Sequence, residues 1–190
     1  MRTEGGHSTA ILMGITYLRM LLVPVVMALI LVGDDTAGAF AIAAVLFAAA
    51  AVTDFIDGYL ARRWNVTTTL GSFLDTTADK LLVSGALIAL VGVGRASPWA
   101  ATIIVGRELL ILGLRGFVAA DGTVMAPSIW GKLKASVQFV AITLAIVRVS
   151  EEFGPLFLDE YVMIAAVIIT VMSAVEYLAR FRESLTGGKA

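Results

Sequence analysis

Asp54, Asp57, Asp75 and Asp79 stand in an otherwise apolar part of the chain, with Gly58, Ala61, Arg62 and Gly71 between them, in the pattern D-x2-D-G-x2-A-R-x8-G-x3-D-x3-D. Helical residues three, four or seven apart share a face. Asp54, Asp57, Gly58 and Ala61 therefore form one stripe with Arg62 at its edge, and Gly71, Asp75 and Asp79 form a second. If the two helices are neighbours joined by a loop near 63–70, carboxylate oxygens converge from both sides. All-oxygen donor sets suit hard cations such as Mg2+, Mn2+ or Ca2+. Four carboxylates exceed what one magnesium usually takes, and two adjacent ions suit them better. A two-metal site is a known solution for in-line displacement at phosphorus. The small residues leave room for a bulky group against the backbone, and Arg62 offers a planar donor fork to a phosphate. Each feature alone has a plainer reading. Gly58 and Ala61 suit helix packing, Arg62 beside Arg63 suits an interfacial anchor, and one intramembrane aspartate suits a proton relay or a helix pair. It is the complete ordered string that points to phosphoryl chemistry.

The elements that must position these residues follow from composition. The chain is 59% hydrophobic over 190 residues, with a mean hydropathy of +0.92. A soluble domain of that size needs far less apolar surface, so an all-α integral membrane protein is expected. A carboxylate costs about 2.5–3.5 kcal/mol at the centre of a membrane helix, so a cluster of them needs a compensating charge. Six apolar segments lie near 15–33, 37–61, 72–94, 97–120, 131–149 and 156–179. Each is about as long as a membrane span, which predicts six transmembrane helices in a single membrane domain over 1–190, with flexible tails at 1–8 and 183–190. Gly33-Asp34-Asp35 closes the first segment, and Gly154-Pro155 separates the fifth from the sixth. Ser97-Pro98 reads as a cap and first-turn proline opening the fourth. Pro24 should kink the first. The chain has no cysteine, hence no thiolate chemistry. Its one histidine, His7, lies in a polar tail, which argues against a His-ligated zinc site. A net charge of −1 offers nothing to a nucleic acid.

Charge distribution orients the spans. With the N-terminus inside, the inner side collects Arg2, Arg62, Arg63, Lys80, Lys132, Lys134, Arg180, Arg182 and Lys189. The outer side collects only Arg95 and Arg148, with Asp34, Asp35, Glu151 and Glu152. By the positive-inside rule both termini are cytoplasmic and the aspartates face the cytoplasm. Ala37-Gly38-Ala39 resembles a signal cleavage site, but the short tail before the first span carries Glu4 as well as Arg2 and five more spans follow, so the segment is expected to stay.

A second polar group falls in the later segments. Arg107, Glu108 and Arg115 sit in the fourth, and Gly131-Lys132-Leu133-Lys134 opens the fifth, with Gln138 one turn beyond Lys134. Buried arginines in spans usually serve a polar cavity. Two guanidiniums and two ammoniums suit an anionic acceptor, a phosphate in particular, although Lys132 and Lys134 alone could be snorkelling to the interface.

The aspartate string resembles the signature of the CDP-alcohol phosphotransferase family at every defined position. The resemblance implies six membrane helices, a homodimer, a site for two divalent cations (Mg2+ or Mn2+) open to the cytoplasm, and a CDP-linked donor. It implies that Asp54, Asp57 and Asp75 hold the first metal and that Asp54, Asp75 and Asp79 share the second, with Asp79 also the general base. Gly58, Ala61, Arg62 and Gly71 would line the nucleotide site. Gly106-Arg107-Glu108-Leu109 with Leu114-Arg115, then Gly131-Lys132-Leu133-Lys134 and Gln138, resemble the phosphatidylglycerophosphate synthase branch, as do Leu70 to Asp75 and Ala78-Asp79-Lys80. Two departures show: Thr16 and Arg19 keep a T-x-x-R, but Met13 replaces an asparagine and Thr76 a proline. The branch implies CDP-diacylglycerol and sn-glycerol 3-phosphate as substrates at the plasma membrane, with the phosphate of the acceptor on Arg107, Arg115, Lys132 and Lys134. Cardiolipin synthase and phosphatidylinositol-phosphate synthase are the alternatives within the family. A cation transporter is the alternative from another class, and the chain shows no repeat of the kind many transporters carry.

Overall fold

A computed structural model describes the backbone of residues 3–64, 69–120, 129–148 and 152–187, and the side chains of 13–53, 71, 73–119, 130–131, 133–148 and 154–182. Its helices are α1 (Thr3–Leu31), α2 (Ala39–Trp64), α3 (Thr69–Gly92), α4 (Pro98–Ala120), α5 (Ile129–Val147) and α6 (Leu158–Gly187). Among the described residues the regular structure is helical apart from one small antiparallel hairpin, β1 (Glu152–Phe153) with β2 (Leu156–Phe157), which turns at Gly154 with φ +75°. The apolar segments of the sequence correspond one to one with the helices. The expected punctuation is there too: α4 opens on Pro98, and the Ser97 hydroxyl accepts a hydrogen bond from the Trp99 amide at 3.3 Å. Helix α1 runs through Pro24.

Among the described residues two helical stretches are long and apolar enough to cross a membrane by themselves, Met13–Leu31 and Leu158–Arg182. The shortfall elsewhere has a physical cause. Asp75, Asp79 and Lys80 lie in one half of α3, and Arg107, Glu108 and Arg115 interrupt α4.

The helices form two compact units, Met1–Arg95 and Ala96–Ala190. In the first, α1 packs along α3 and against α2, and α2 also touches α3. Its core is Val26 and Ile30 of α1, Ala43, Phe47 and Ala50 of α2, and Ala78, Leu82, Ala86, Leu87 and Leu90 of α3. Spacings of three and four mark the inward face of each helix. Val45, Val52, Leu81 and Ile88 on the opposite faces are exposed, as lipid-facing residues should be. In the second unit α6 packs against both α5 and α4. Its buried residues are Asp159, Met163, Ala166, Thr170, Ser173 and Tyr177. They alternate spacings of four and three, the repeat of a coiled-coil seam.

Where α3 packs on α1, Gly85 leaves no room for a side chain: an added Cβ would lie 2.9 Å from both Met27 Sδ and Val23 Cγ1 of α1. Overpacking of this kind costs about 1–3 kcal/mol. Gly85→Val should therefore lower the thermal unfolding midpoint in detergent, and an unchanged midpoint would contradict the α1–α3 packing.

Candidate active site

The inward face of α3 runs through Leu90, Leu87, Ala86, Leu82 and Ala78 and continues, at the same spacing, to Asp79 and Asp75. The carboxylates thus extend the protein-facing stripe. Asp79 is half-buried, with its Oδ1 buried. Asp75 is more open, its side chain 38% exposed. Its Oδ1 accepts a hydrogen bond from Arg19 Nη1 of α1 at 2.9 Å.

Arg19 is the sole charged residue of the first apolar segment and is only 2% exposed. Thr16, one turn earlier, is buried on the same side of α1. The T-x-x-R spacing therefore presents a cation to the third aspartate of the string. A guanidinium buried among apolar helices would be prohibitive alone, and its carboxylate partner makes it tenable. Sequence reasoning noted Arg19 for its spacing and gave it no role. The available signal was a lone charge in a span, which usually marks a functional group.

The α3 pair fits a hard divalent cation. Both side chains offer oxygen donors one turn apart, and a carboxylate that accepts one hydrogen bond retains lone pairs for coordination. The side chains of Asp54, Asp57, Ala61 and Arg62, and position 58, lie outside the described residues, although the α2 backbone continues through them to Trp64. Among the described residues no three ligating side chains are gathered. Gly71, on the first turns of α3, is half-buried.

The second polar group is assembled within the second unit. Glu108 of α4 holds two cations with one oxygen. Its Oε1 accepts from Arg107 Nη1 at 3.3 Å and also from Lys134 Nζ of α5. Lys134 Nζ also lies 3.5 Å from Gln138 Oε1, and Gln138 Nε2 donates to Thr170 Oγ1 of α6 at 2.8 Å. Arg107 Nη2 donates to Ser173 Oγ at 2.6 Å, and the guanidinium lies 5.7 Å from the centre of the Tyr177 ring. All seven residues are buried. Two cations thus share one carboxylate oxygen. Arg107 Nε is buried and has no hydrogen-bond partner among the described residues. Leaving such a donor unmet costs about 1–3 kcal/mol, and more for a charged group. Arg115 is exposed on α4, and the Lys132 side chain lies outside the described residues. The structure thus joins Arg107 to Lys134 through Glu108, and it adds Thr170, Ser173 and Tyr177, which sequence reasoning missed.

The two arginines that the sequence assigns to the outer side are both paired. Arg95 lies 3.7 Å from Asp34 and stacks on Phe40 at 3.4 Å, and Arg148 binds Asp159 at 3.2 Å.

Comparison with known proteins gives a consistent picture. The family model described as CDP-alcohol phosphatidyltransferase matches residues 13–172. The chain is 37% identical over 182 residues to the CDP-diacylglycerol–glycerol-3-phosphate 3-phosphatidyltransferase of Bacillus subtilis, covering 90% of this chain and 94% of that protein. It is 40% identical over 176 residues to a probable phosphatidylglycerophosphate synthase of Mycobacterium tuberculosis, covering 91% and 82%. A CDP-diacylglycerol–glycerol-3-phosphate 3-phosphatidyltransferase of Rickettsia typhi is 32% identical over 166 residues, covering 86% and 92%.

The contact between Arg19 and Asp75 makes a measurable claim. A double-mutant cycle of Arg19→Met and Asp75→Asn, read by thermal unfolding in detergent, should show a coupling of about 0.5–3 kcal/mol. Additive effects would mean that the pair does not hold α1 to α3.

Proposed function

This chain belongs to the CDP-alcohol phosphatidyltransferase family, and on that premise we propose that it transfers the phosphatidyl group of CDP-diacylglycerol to sn-glycerol 3-phosphate, giving phosphatidylglycerophosphate and CMP. The observation that carries this reading is the match over most of both chains to relatives named for that reaction. The inward position of Asp75 and Asp79 on α3 supports it.

The chain is a membrane protein by its apolar helices and its family. The proposed topology has all six helices spanning the plasma membrane as one membrane domain, with both termini and the aspartate string on the cytoplasmic side. Helices of 19 to 30 residues rise about 28–45 Å, against a hydrocarbon core of about 30 Å. The topology places nine Lys and Arg on the inner side against Arg95 and Arg148 on the outer, the bias of the positive-inside rule. A homodimer belongs to the same reading.

Members of the family generally depend on divalent cations. Asp54, Asp57, Asp75 and Asp79 would hold two, Mg2+ or Mn2+, and the bound ions would supply charge neutralisation at the pyrophosphate. By spacing, positions 54, 57 and 61 continue the series 43, 47 and 50 of α2. Gly58, Ala61 and Gly71 line the nucleotide, and Arg62 offers its fork to the phosphates. Arg107, Arg115, Lys132 and Lys134 receive the acceptor's phosphate. Asp79 takes the proton of the acceptor's 1-hydroxyl. The freed oxygen forms a bond to the phosphorus that carries diacylglycerol, the phosphoanhydride bond breaks, and CMP leaves with its electron pair. A positioned base contributes about 10²–10⁴-fold, and fixed positive charge supplies much of the remainder.

Asp79→Asn should therefore lose at least about 100-fold in turnover while CDP-diacylglycerol binding persists; near-normal turnover would remove Asp79 from the role of base. Purified protein given CDP-diacylglycerol should release CMP with glycerol 3-phosphate. Release with phosphatidylglycerol or inositol phosphate instead would reassign the acceptor, and ion flux in liposomes without CMP release would favour a transporter.

A further inference from the structure

Helix α6 carries no residue of the site proposed above, yet its seam reaches into the acceptor cradle. Of its buried positions, Met163 and Ala166 are apolar fillers, Asp159 pairs with Arg148, and Tyr177 lies against Arg107. Thr170 and Ser173 are not. Both are fully buried hydroxyls, and each touches a residue of the polar group on α4 and α5. A hydroxyl in a membrane helix can satisfy itself on its own backbone. Thr170 does so, donating to the Ala166 carbonyl at 2.6 Å. Ser173 instead accepts from Arg107 Nη2 at 2.6 Å.

The guanidinium of Arg107 is thereby pinned at three places: Glu108 on Nη1, Ser173 on Nη2, and the Tyr177 ring 5.7 Å away. Two of its five N–H donors are used in those hydrogen bonds, and of the others Nε–H is buried and without a partner among the described residues. That unmatched donor on a buried guanidinium points to a missing anion. The chemistry of Ser173 suits this. A carboxylate in its place would cancel the charge that draws an anion. A neutral hydroxyl fixes the plane of the guanidinium without cancelling its charge.

We infer that Ser173 is a positioning residue for the acceptor: it orients Arg107 so that the remaining donor edge meets a phosphomonoester dianion. The inference rests on the reading of Arg107 as an acceptor-binding residue and adds α6 to that site. The residue never meets the reacting atoms and acts only through Arg107.

The test is steady-state CMP release by the purified full-length enzyme, with each substrate varied in turn. Ser173→Ala removes one oxygen from a small side chain and should fold. It should raise the KM for glycerol 3-phosphate about tenfold, the loss expected for one orienting bond to a charged group. The KM for CDP-diacylglycerol and kcat should change less than about twofold, and inhibition by inorganic phosphate should weaken in parallel with acceptor binding. In an Arg107→Met background the same substitution should add nothing, because its route to the acceptor is gone. An unchanged KM for glycerol 3-phosphate in Ser173→Ala overturns the inference and leaves the proposed reaction standing. A uniform loss of kcat with a lowered unfolding midpoint also overturns it, by showing a purely structural role. Absence of CMP release from the unsubstituted enzyme with glycerol 3-phosphate sinks the proposed reaction and the inference with it.

Discussion

A charge buried among apolar helices must be matched, because neither lipid nor packed side chains can solvate it. That requirement organises each helical unit of this protein. In the first, the buried Arg19 is met by Asp75 across the α1–α3 packing. In the second, Glu108 is met by Arg107 and Lys134 from two helices. The matching is incomplete in an informative way. Arg19 faces a carboxylate that keeps oxygen lone pairs for a cation, and in the second group Arg107 keeps a buried N–H donor without a partner among the described residues. The first imbalance suits a metal, the second an anion. A membrane protein with no ligand to bind would gain by closing both.

Much of the fold was legible because its signal is local. The six apolar runs became helices, and α2 to α5 end within three residues of the expected bounds, whereas α1 starts at Thr3 rather than near 15 and α6 runs on to Gly187 rather than 179; Ser97-Pro98 opened α4 as such a pair should. The β1–β2 hairpin was not foreseen. It is built from two residues per strand around a glycine with positive φ, too short to show alternation. The site was legible in part. Asp75 and Asp79 could be placed on one helix face by counting, and the structure sets that face inward. Arg19 stood out as a lone charge, but its partner lies 56 positions away and no periodicity links them. Thr170 and Ser173 were invisible for a different reason. A hydroxyl in an apolar helix is commonplace, and only the neighbouring Gln138 and Arg107 show that these two belong to a polar network.

Glu108 illustrates why residue type alone misleads. Beside Arg107 in sequence, it could be taken for a group that merely cancels its neighbour. The structure makes it a link, since one oxygen ties an α4 cation to an α5 cation. Side chains one apart do not share a helix face, so Arg107 can reach Ser173 of α6 while Glu108 reaches Lys134 of α5. The polar group depends on helices meeting at that level, and the α6 seam supplies the contact.

Spanning a membrane and binding charged substrates make opposite demands on the same helices. Helices α3 and α4 fall short as stand-alone spans because of Asp75, Asp79 and Lys80 in one and Arg107, Glu108 and Arg115 in the other. These are largely the residues that the proposed reaction uses. Helices α1 and α6 carry the apolar load and remain long enough to cross unaided. Their contribution to the polar groups is correspondingly sparing: one arginine from α1, two hydroxyls and a tyrosine from α6. Hydroxyls cost far less than charges in an apolar setting, since a backbone carbonyl one turn away can satisfy them. A scaffold helix can thus orient the charged residues of its neighbours while keeping the hydropathy that holds it in the membrane.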